Sequence, residues 1–352
     1  MITSKETMPD SAAFFGVIDR YQPAVTDELH AVLDHRPAPP YTLMRYHLGW
    51  EDESGSAIQG RGGKMLRPAL CLLANEALGG SWEQALPAAA ALELLHNFTL
   101  IHDDVEDASE QRHGRKTIWS IWGEAQAINT GDGMFALAYA TLLRLSERGY
   151  DSDRVLRAVQ MLDSATLHLC EGQHGDILGA GGQNISCTEY VDIIEGKTAE
   201  LIATSCALGA LLGGGSEEDI SAFYDYGRQT GLAFQIRDDV LGIWGDVSET
   251  GKPDSDDLRA GKQSYPIVFA LESASSGERT ALLELLAKDT RDDKEIDTAR
   301  SLLESLGARE ESERKALEHA DVAIASLDKL DLRAKQRDEF AQIATFAARR
   351  RA

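Results

Sequence analysis

The sequence is poor in cations. Its 352 residues carry 35 Lys and Arg against 58 Asp and Glu, for a formal net charge of −23. Such a chain lacks the basic footprint that phosphate backbones require, which argues against nucleic acid as a partner. Cysteine is also scarce. Cys71, Cys170, Cys187 and Cys206 are scattered, with no Cys-x-x-Cys pair, and read as small core residues in a reducing cytoplasm. No apolar run reaches transmembrane length, and the N-terminus lacks the basic-then-apolar pattern of a signal peptide, so we expect a cytoplasmic protein with no stable membrane insertion. β-branched alternation never runs far, no repeat of about 20–50 residues is evident, and no stretch reads as a linker. Gly179-Ala180-Gly181-Gly182 is no dinucleotide fingerprint, because no strand precedes it.

Helical periodicity in Ala, Leu, Glu and Arg dominates from Leu66 onward, and 43% hydrophobic residues are ample for a large core. The expected fold is all-α, a single domain over 1–352 with its motif-bearing core at about 60–265. Residues 1–10 read as disordered, and Ser11 to about Leu33 as an amphipathic helix. Residues 36–63 read as a break, because Pro37, Pro39 and Pro40 stop helices. Four or five short helices from Tyr265 to Arg351 read as outer packing without chemistry of their own.

Chemistry concentrates in two acidic clusters, each following an apolar helical pattern. Asp103, Asp104 and Asp107 share a helix face, with Asp107 about 40° and Asp104 about 100° round from Asp103. Like charges this close repel unless a cation intervenes, and hard oxygen ligands suit Mg²⁺ together with phosphates. A solvated helix end would explain one such cluster; Asp238 and Asp239, with Gln235 one turn earlier and Asp246 eight positions on, make a second. Two acidic walls with metal ions between them are therefore expected.

Cations gather where anions would be held. Lys64 and Arg67 project from a glycine-rich turn that opens a helix, an anion site by its backbone N–H groups and charges, or else a flexible basic loop. His96 lies along the face of the first cluster, and Arg112-His113-Gly114-Arg115-Lys116-Thr117 follows it as a basic loop, for gripping phosphate or for charge compensation. Lys197 sits mid-helix among small and apolar neighbours. No catalytic Ser, Cys or His constellation is present.

Over about residues 60–330 the chain resembles the trans-isoprenyl diphosphate synthases, or polyprenyl synthetases, with motifs in the family's order. Gly63-Lys64-Met65-Leu66-Arg67-Pro68 is similar to the isopentenyl diphosphate motif, and His96 matches a histidine that helps bind that substrate. Asp103, Asp104 and Asp107 match the first aspartate-rich motif, and Arg112 and His113 the diphosphate-gripping pair after it. Gln173 and Asp176 match a mid-chain pair. Lys197, Thr198 and Gln235 match residues flanking the reacting carbons; Asp238, Asp239 and Asp246 match the second motif, and Lys252 and Lys262 the late lysines. The resemblance implies a helical bundle of the isoprenoid synthase type around a central cavity. It implies three Mg²⁺ ions, with Mn²⁺ able to substitute, and a homodimer. The implied reaction ionises an allylic diphosphate and adds isopentenyl diphosphate to the cation, with Lys197, Thr198, Gln235, Asp103 and Asp239 as catalytic groups. Phe98, with the small Thr99 beside it, resembles the chain-length position of geranylgeranyl diphosphate synthases.

Three positions depart from the pattern. Met65 stands where an arginine is common, and His113 replaces the second arginine of an Arg-Arg pair; both are expected to thin the charge around isopentenyl diphosphate. Gly242 replaces the third aspartate of the second motif, and Asp246 is expected to compensate. Two other readings are a class I terpene cyclase, whose second motif normally holds Asn, Ser and Glu, and a non-catalytic synthase subunit, which typically loses the aspartates.

Overall fold

Residues that lose little rotamer freedom in a helix give a chain that is 79% helical in its computed structural model. The structure describes residues 9–58, 63, 65–180, 185–245, 255–288 and 290–351, apart from the side chains of 9–13, 180 and 256. The chain divides into two compact units, one of residues 15–164 and 204–224, the other of 1–14, 165–203 and 225–352.

In chain order the elements are α1 (Pro9–Leu33), α2 (Pro39–His47), α3 (Leu66–Ala77), α4 (Leu86–Glu106), a hairpin of β1 (Gln111–Arg112) and β2 (Arg115–Lys116), α5 (Ile118–Trp122), α6 (Glu124–Leu142) and α7 (Ser152–Ala180). Next come α8 (Cys187–Ile194), a π-turn (Glu195–Ala199), α9 (Glu200–Leu212), α10 (Glu217–Trp244) and α11 (Asp256–Ala260). Last are α12 (Tyr265–Ser273), α13 (Ser276–Leu286), α14 (Asp293–Ser305), α15 (Ala308–Ser326) and α16 (Ala334–Arg349).

In the first unit α4 packs on α3 and α6. Its Ala88-Ala89-Ala90-Ala91-Leu92 run is fully buried, so the helix that carries the first acidic cluster is held by its own apolar half. Against α3, α9 comes into backbone contact. A Cβ on Gly209 would lie 2.1 Å from the Cys71 carbonyl oxygen, and one on Gly213 2.8 Å from that of Asn75. In the second unit Ile243, Leu258, Ile267, Leu282, Ile296 and Leu303 form a core shared by α10 to α14.

Several local expectations are corrected. Pro39 and Pro40 start a helix, because proline at the first helical positions has no N–H to leave unbonded and a pre-set φ. The basic loop is a tight hairpin whose turn residues, His113 and Gly114, have φ of 52° and 74°, as a type I′ turn requires. Histidine tolerates that left-handed backbone better than most side chains. Cys71 and Cys206 are buried, but Cys170 is exposed and Cys187 only partly covered. Among the described residues no helix is long and apolar enough to cross a membrane.

Candidate active site

α4 keeps its helical backbone to Glu106, and Asp107 caps it with the Asp107 amide donating to the Asp103 carbonyl at 2.8 Å. The three aspartates therefore lie on one turn, in three environments. Asp104 is buried and accepts from Arg112 Nε at 2.8 Å; Asp103 is partly covered and Asp107 is exposed. Burial pushes the Asp104 pKa up to about 6, against the pull of Arg112 and with the push of Asp103 and Asp107. Among the described residues no three His, Cys, Asp or Glu side chains enclose a metal position. The donor set nonetheless fits Mg²⁺, which takes one or two carboxylates and completes its shell with phosphate and water. Asp103 and Asp107, one turn apart at the helix end, are such a pair.

Beside this turn is a set of basic groups in the same unit. Arg67, at the start of α3, has a buried Nε with no hydrogen-bond acceptor among the described residues. Burial lowers its pKa to about 10, against the attraction of Glu93. His96 on α4 is held well below the ordinary histidine range by burial, then by Arg67, Arg112, His47 and His113. Met65, where the family pattern commonly has an arginine, is turned into the protein interior. Its backbone is left-handed (φ 48°), and its side chain is 6% exposed, with the sulfur accepting from Thr26 Oγ1 at 4.0 Å. Lys64 lies outside the described residues.

Phe98 meets the His102 ring edge-on at 4.8 Å between centroids and Phe135 of α6 at 5.3 Å; Phe135 in turn meets Tyr139 at 5.0 Å. Thr99 turns its hydroxyl back to the His96 carbonyl at 2.7 Å.

In the second unit, two glycines let α7 touch the π-turn. A Cβ on Gly172 would lie 2.3 Å from the Lys197 amide nitrogen, and one on Gly196 2.7 Å from the His168 carbonyl oxygen. Lys197 Nζ donates to Asp176 Oδ2 at 2.6 Å, while Gln173 lies partly covered beside Gly172. Thr198 Oγ1 donates to Gln235 Oε1 at 3.0 Å, and Gln235 Nε2 donates to Asp239 Oδ1 at 2.9 Å. Asp239 is 2% exposed, and its Oδ2 accepts from the Tyr190 hydroxyl at 2.6 Å and the Tyr265 amide at 3.1 Å. Burial pushes its pKa up to about 7; Asp257 raises it further, and Tyr190, Lys262 and Gln235 oppose.

Two groups here were missed by the sequence reading. A Cβ on Gly242 would lie 2.2 Å from Asp257 Oδ2, so the Asp257 carboxylate fills the space a third aspartate of the motif would occupy. Its signal was the acidic pair before Leu258, close to Lys262. Asp246, the expected substitute, lies outside the described residues, as does Lys252. The second is Arg350, just beyond α16, whose Nη2 donates to Asp238 Oδ1 at 2.9 Å while its guanidinium lies 3.8 Å from the centre of the Phe234 ring. The last helix, expected to lack chemistry, thus delivers a cation to the second cluster.

The model of the polyprenyl synthetase family matches residues 50–303 of the chain, a stretch that contains every one of these motif residues. The chain belongs to the polyprenyl synthetase family. It is 40% identical over 301 residues to the geranylgeranyl diphosphate synthase of Mycobacterium tuberculosis, covering 85% of this chain and 84% of that one. It is 36% identical over 331 residues to the (2E,6E)-farnesyl diphosphate synthase of the same organism, covering 93% and 91%. The crystal structure of a polyprenyl synthetase from Streptomyces coelicolor A3(2) superposes with a TM-score of 0.88 at 38% identity, covering 94% of this chain and 98% of that one. This polyprenyl synthetase is thus an isoprenyl diphosphate synthase of the helical polyprenyl synthase fold, a transferase acting on isopentenyl diphosphate and an allylic diphosphate. Its family uses a divalent metal in catalysis.

Proposed function

We propose that the chain makes geranylgeranyl diphosphate. The observation that carries the product length is Phe98, five residues before Asp103 and braced by His102 and Phe135, a ring where the growing chain would end.

Asp103, Asp104 and Asp107 of the first cluster, and Asp238, Asp239 and Asp246 of the second, would hold Mg²⁺, three ions by the family's pattern, with Mn²⁺ able to substitute. When bound, the metal neutralises charge on the departing diphosphate. Arg112, oriented by Asp104, grips a diphosphate oxygen, as does Lys197, oriented by Asp176. Lys252 and Lys262 add positive charge, and Gln173 a polar contact. The Thr198 hydroxyl donates its hydrogen bond to Gln235 Oε1, so its oxygen lone pairs remain for the allylic cation. Asp239 engages the Gln235 amide nitrogen and so turns the carbonyl toward Thr198. Lys64, Arg67, His96 and His113 hold isopentenyl diphosphate, whose double bond attacks the cation; a proton then leaves to the released diphosphate. The active form is a cytoplasmic homodimer.

The test is incubation with isopentenyl diphosphate, each allylic diphosphate and Mg²⁺, followed by product mass analysis. Geranylgeranyl diphosphate is the expected end product. Farnesyl diphosphate as the end product would overturn the length assignment, and hydrocarbons without chain extension would overturn the condensation.

A further inference from the structure

Tyr190 on α8 belongs to none of the motifs, yet it ends a hydrogen-bond chain that starts at a residue of the site. The Thr198 hydroxyl donates to Gln235 Oε1 at 3.0 Å, Gln235 Nε2 donates to Asp239 Oδ1 at 2.9 Å, and the Tyr190 hydroxyl donates to Asp239 Oδ2 at 2.6 Å. The chain runs from partly covered Thr198 and Gln235 to Asp239 and Tyr190, each 2% exposed. All four residues lie in the second unit.

Local chemistry puts Tyr190 there. Ser186 caps α8 and Glu189 closes a capping box with it, which fixes where the helix begins. The Cys187 amide donates to Glu272 Oε2 of α12 at 3.2 Å, and the Tyr190 and Tyr265 rings lie 6.2 Å apart, so α8 is docked on α12. Tyr265 is the first residue of α12, and its amide has no acceptor within that helix. Asp239 Oδ2 accepts it at 3.1 Å. This one oxygen thus takes a donor from each of two docked helices.

The chain has a direction. A carboxylate only accepts, so whatever meets Asp239 must donate. Gln235 therefore turns its nitrogen to Asp239 and its oxygen to Thr198, and the Thr198 hydroxyl points its proton at that oxygen. Lone pairs are what remain at the Thr198 end. Asp239 imposes this order only while its carboxylate plane is held. The Tyr190 hydroxyl, a short bond to a charged acceptor, holds it. With the Tyr265 amide alone on Oδ2, the carboxylate can turn about its Cβ–Cγ bond. Gln235 is then free to present its nitrogen to Thr198, which sends the hydroxyl proton outward.

We propose that Tyr190 is a positioning residue for the condensation: through Asp239 and Gln235 it keeps the Thr198 lone pairs, and not the Thr198 proton, facing the allylic cation. This rests on the reading of Thr198 as a group that faces that cation. The gain is made only as positive charge develops, so it belongs to the transition state and not to substrate binding.

Single-turnover rates at saturating substrates and Mg²⁺ read the chemical step, and steady-state kinetics read both KM values. Tyr190→Phe keeps the ring and removes the hydroxyl. It should lower the single-turnover rate about tenfold and leave both KM values unchanged. Thr198→Val should lower the rate as well, and adding Tyr190→Phe to it should lower the rate no further, because both act through one chain. Thr198→Ser, which keeps the hydroxyl, should retain both the rate and its sensitivity to Tyr190→Phe. Losses that multiply in the Tyr190→Phe, Thr198→Val double variant would make Tyr190 a packing residue and overturn the proposal. Recovery of Tyr190→Phe at raised Mg²⁺ would overturn it too, because the hydroxyl would then serve the metal wall. An unchanged rate in Tyr190→Phe beside an impaired Thr198→Val would overturn the role of Tyr190 alone. An unchanged rate in Thr198→Val would remove the underlying reading of Thr198. Tyr190→Met, whose flexible side chain fills irregular space, repeats the comparison should the phenylalanine variant fold poorly.

Discussion

Asp103 and Asp239 are equivalent in the sequence and opposite in their surroundings. Asp103 stands partly open at a helix end, whereas Asp239 is 2% exposed under three hydrogen-bond donors from α8, α10 and α12. Asp103→Ala should abolish turnover and leave the melting curve and helical circular dichroism unchanged. Asp239→Ala should abolish turnover and also cost about 2–4 kcal/mol, because buried donors lose their acceptor; a denaturant melt separates the two, and equal stabilities would contradict the difference. Phe98→Ala removes the ring braced by His102 and Phe135, so product mass should shift beyond geranylgeranyl diphosphate, and an unaltered distribution in the folded enzyme would reject Phe98 as the floor. At this scale the kinds of residue were legible, since carboxylates at helical spacing declare themselves. Their burial was not, because it comes from Tyr190 and Tyr265, distant in sequence, and the acidic pair that holds Asp257 gains its meaning from the space at Gly242.

At the scale of elements, α4 and α10 were readable because apolar periodicity runs without a break up to each acidic pair. The π-turn was not, because nothing in Glu195-Gly196-Lys197-Thr198-Ala199 distinguishes it from an α-helix; it is imposed by contact with α7. Gly172→Ala would drive a methyl into the Lys197 amide and should cost about 1–3 kcal/mol as well as activity. Between α15 and α10, His319 Nδ1 donates to Gln229 Oε1 at 2.6 Å, and burial lowers its pKa to about 4. The folded state thus disfavours a proton that the unfolded chain takes up near pH 6.5. The stability His319 contributes is present above that value and is lost as the pH falls toward 4. His319→Gln should flatten the acid side of a Tm-against-pH curve; an unchanged acid limb would show that other groups govern it.

At the scale of the molecule, the net charge of −23 and the anionic substrates are reconciled locally, by fixed arginines and lysines and by the divalent metal that the family employs. The all-α class was legible from composition alone. Assembly was not, since periodicity marks buried faces and says nothing of why apolar side chains such as Leu143 and Leu156 stay exposed. A light-scattering mass near that of one chain at micromolar concentration would reject the homodimer.

The π-turn also sets the terms for insertions and deletions. It is one residue more than an α-helix needs, so removing a residue within 195–199 could restore regular hydrogen bonding from α8 into α9. Each residue is worth about 100° of rotation, however, so the healed helix would swing Lys197 away from Asp176 or Thr198 away from Gln235. Shortening by one residue here should yield a chain that folds at least as well and no longer catalyses. Chains that share the chemistry should therefore keep the length of this turn more strictly than the identity of its flanking residues.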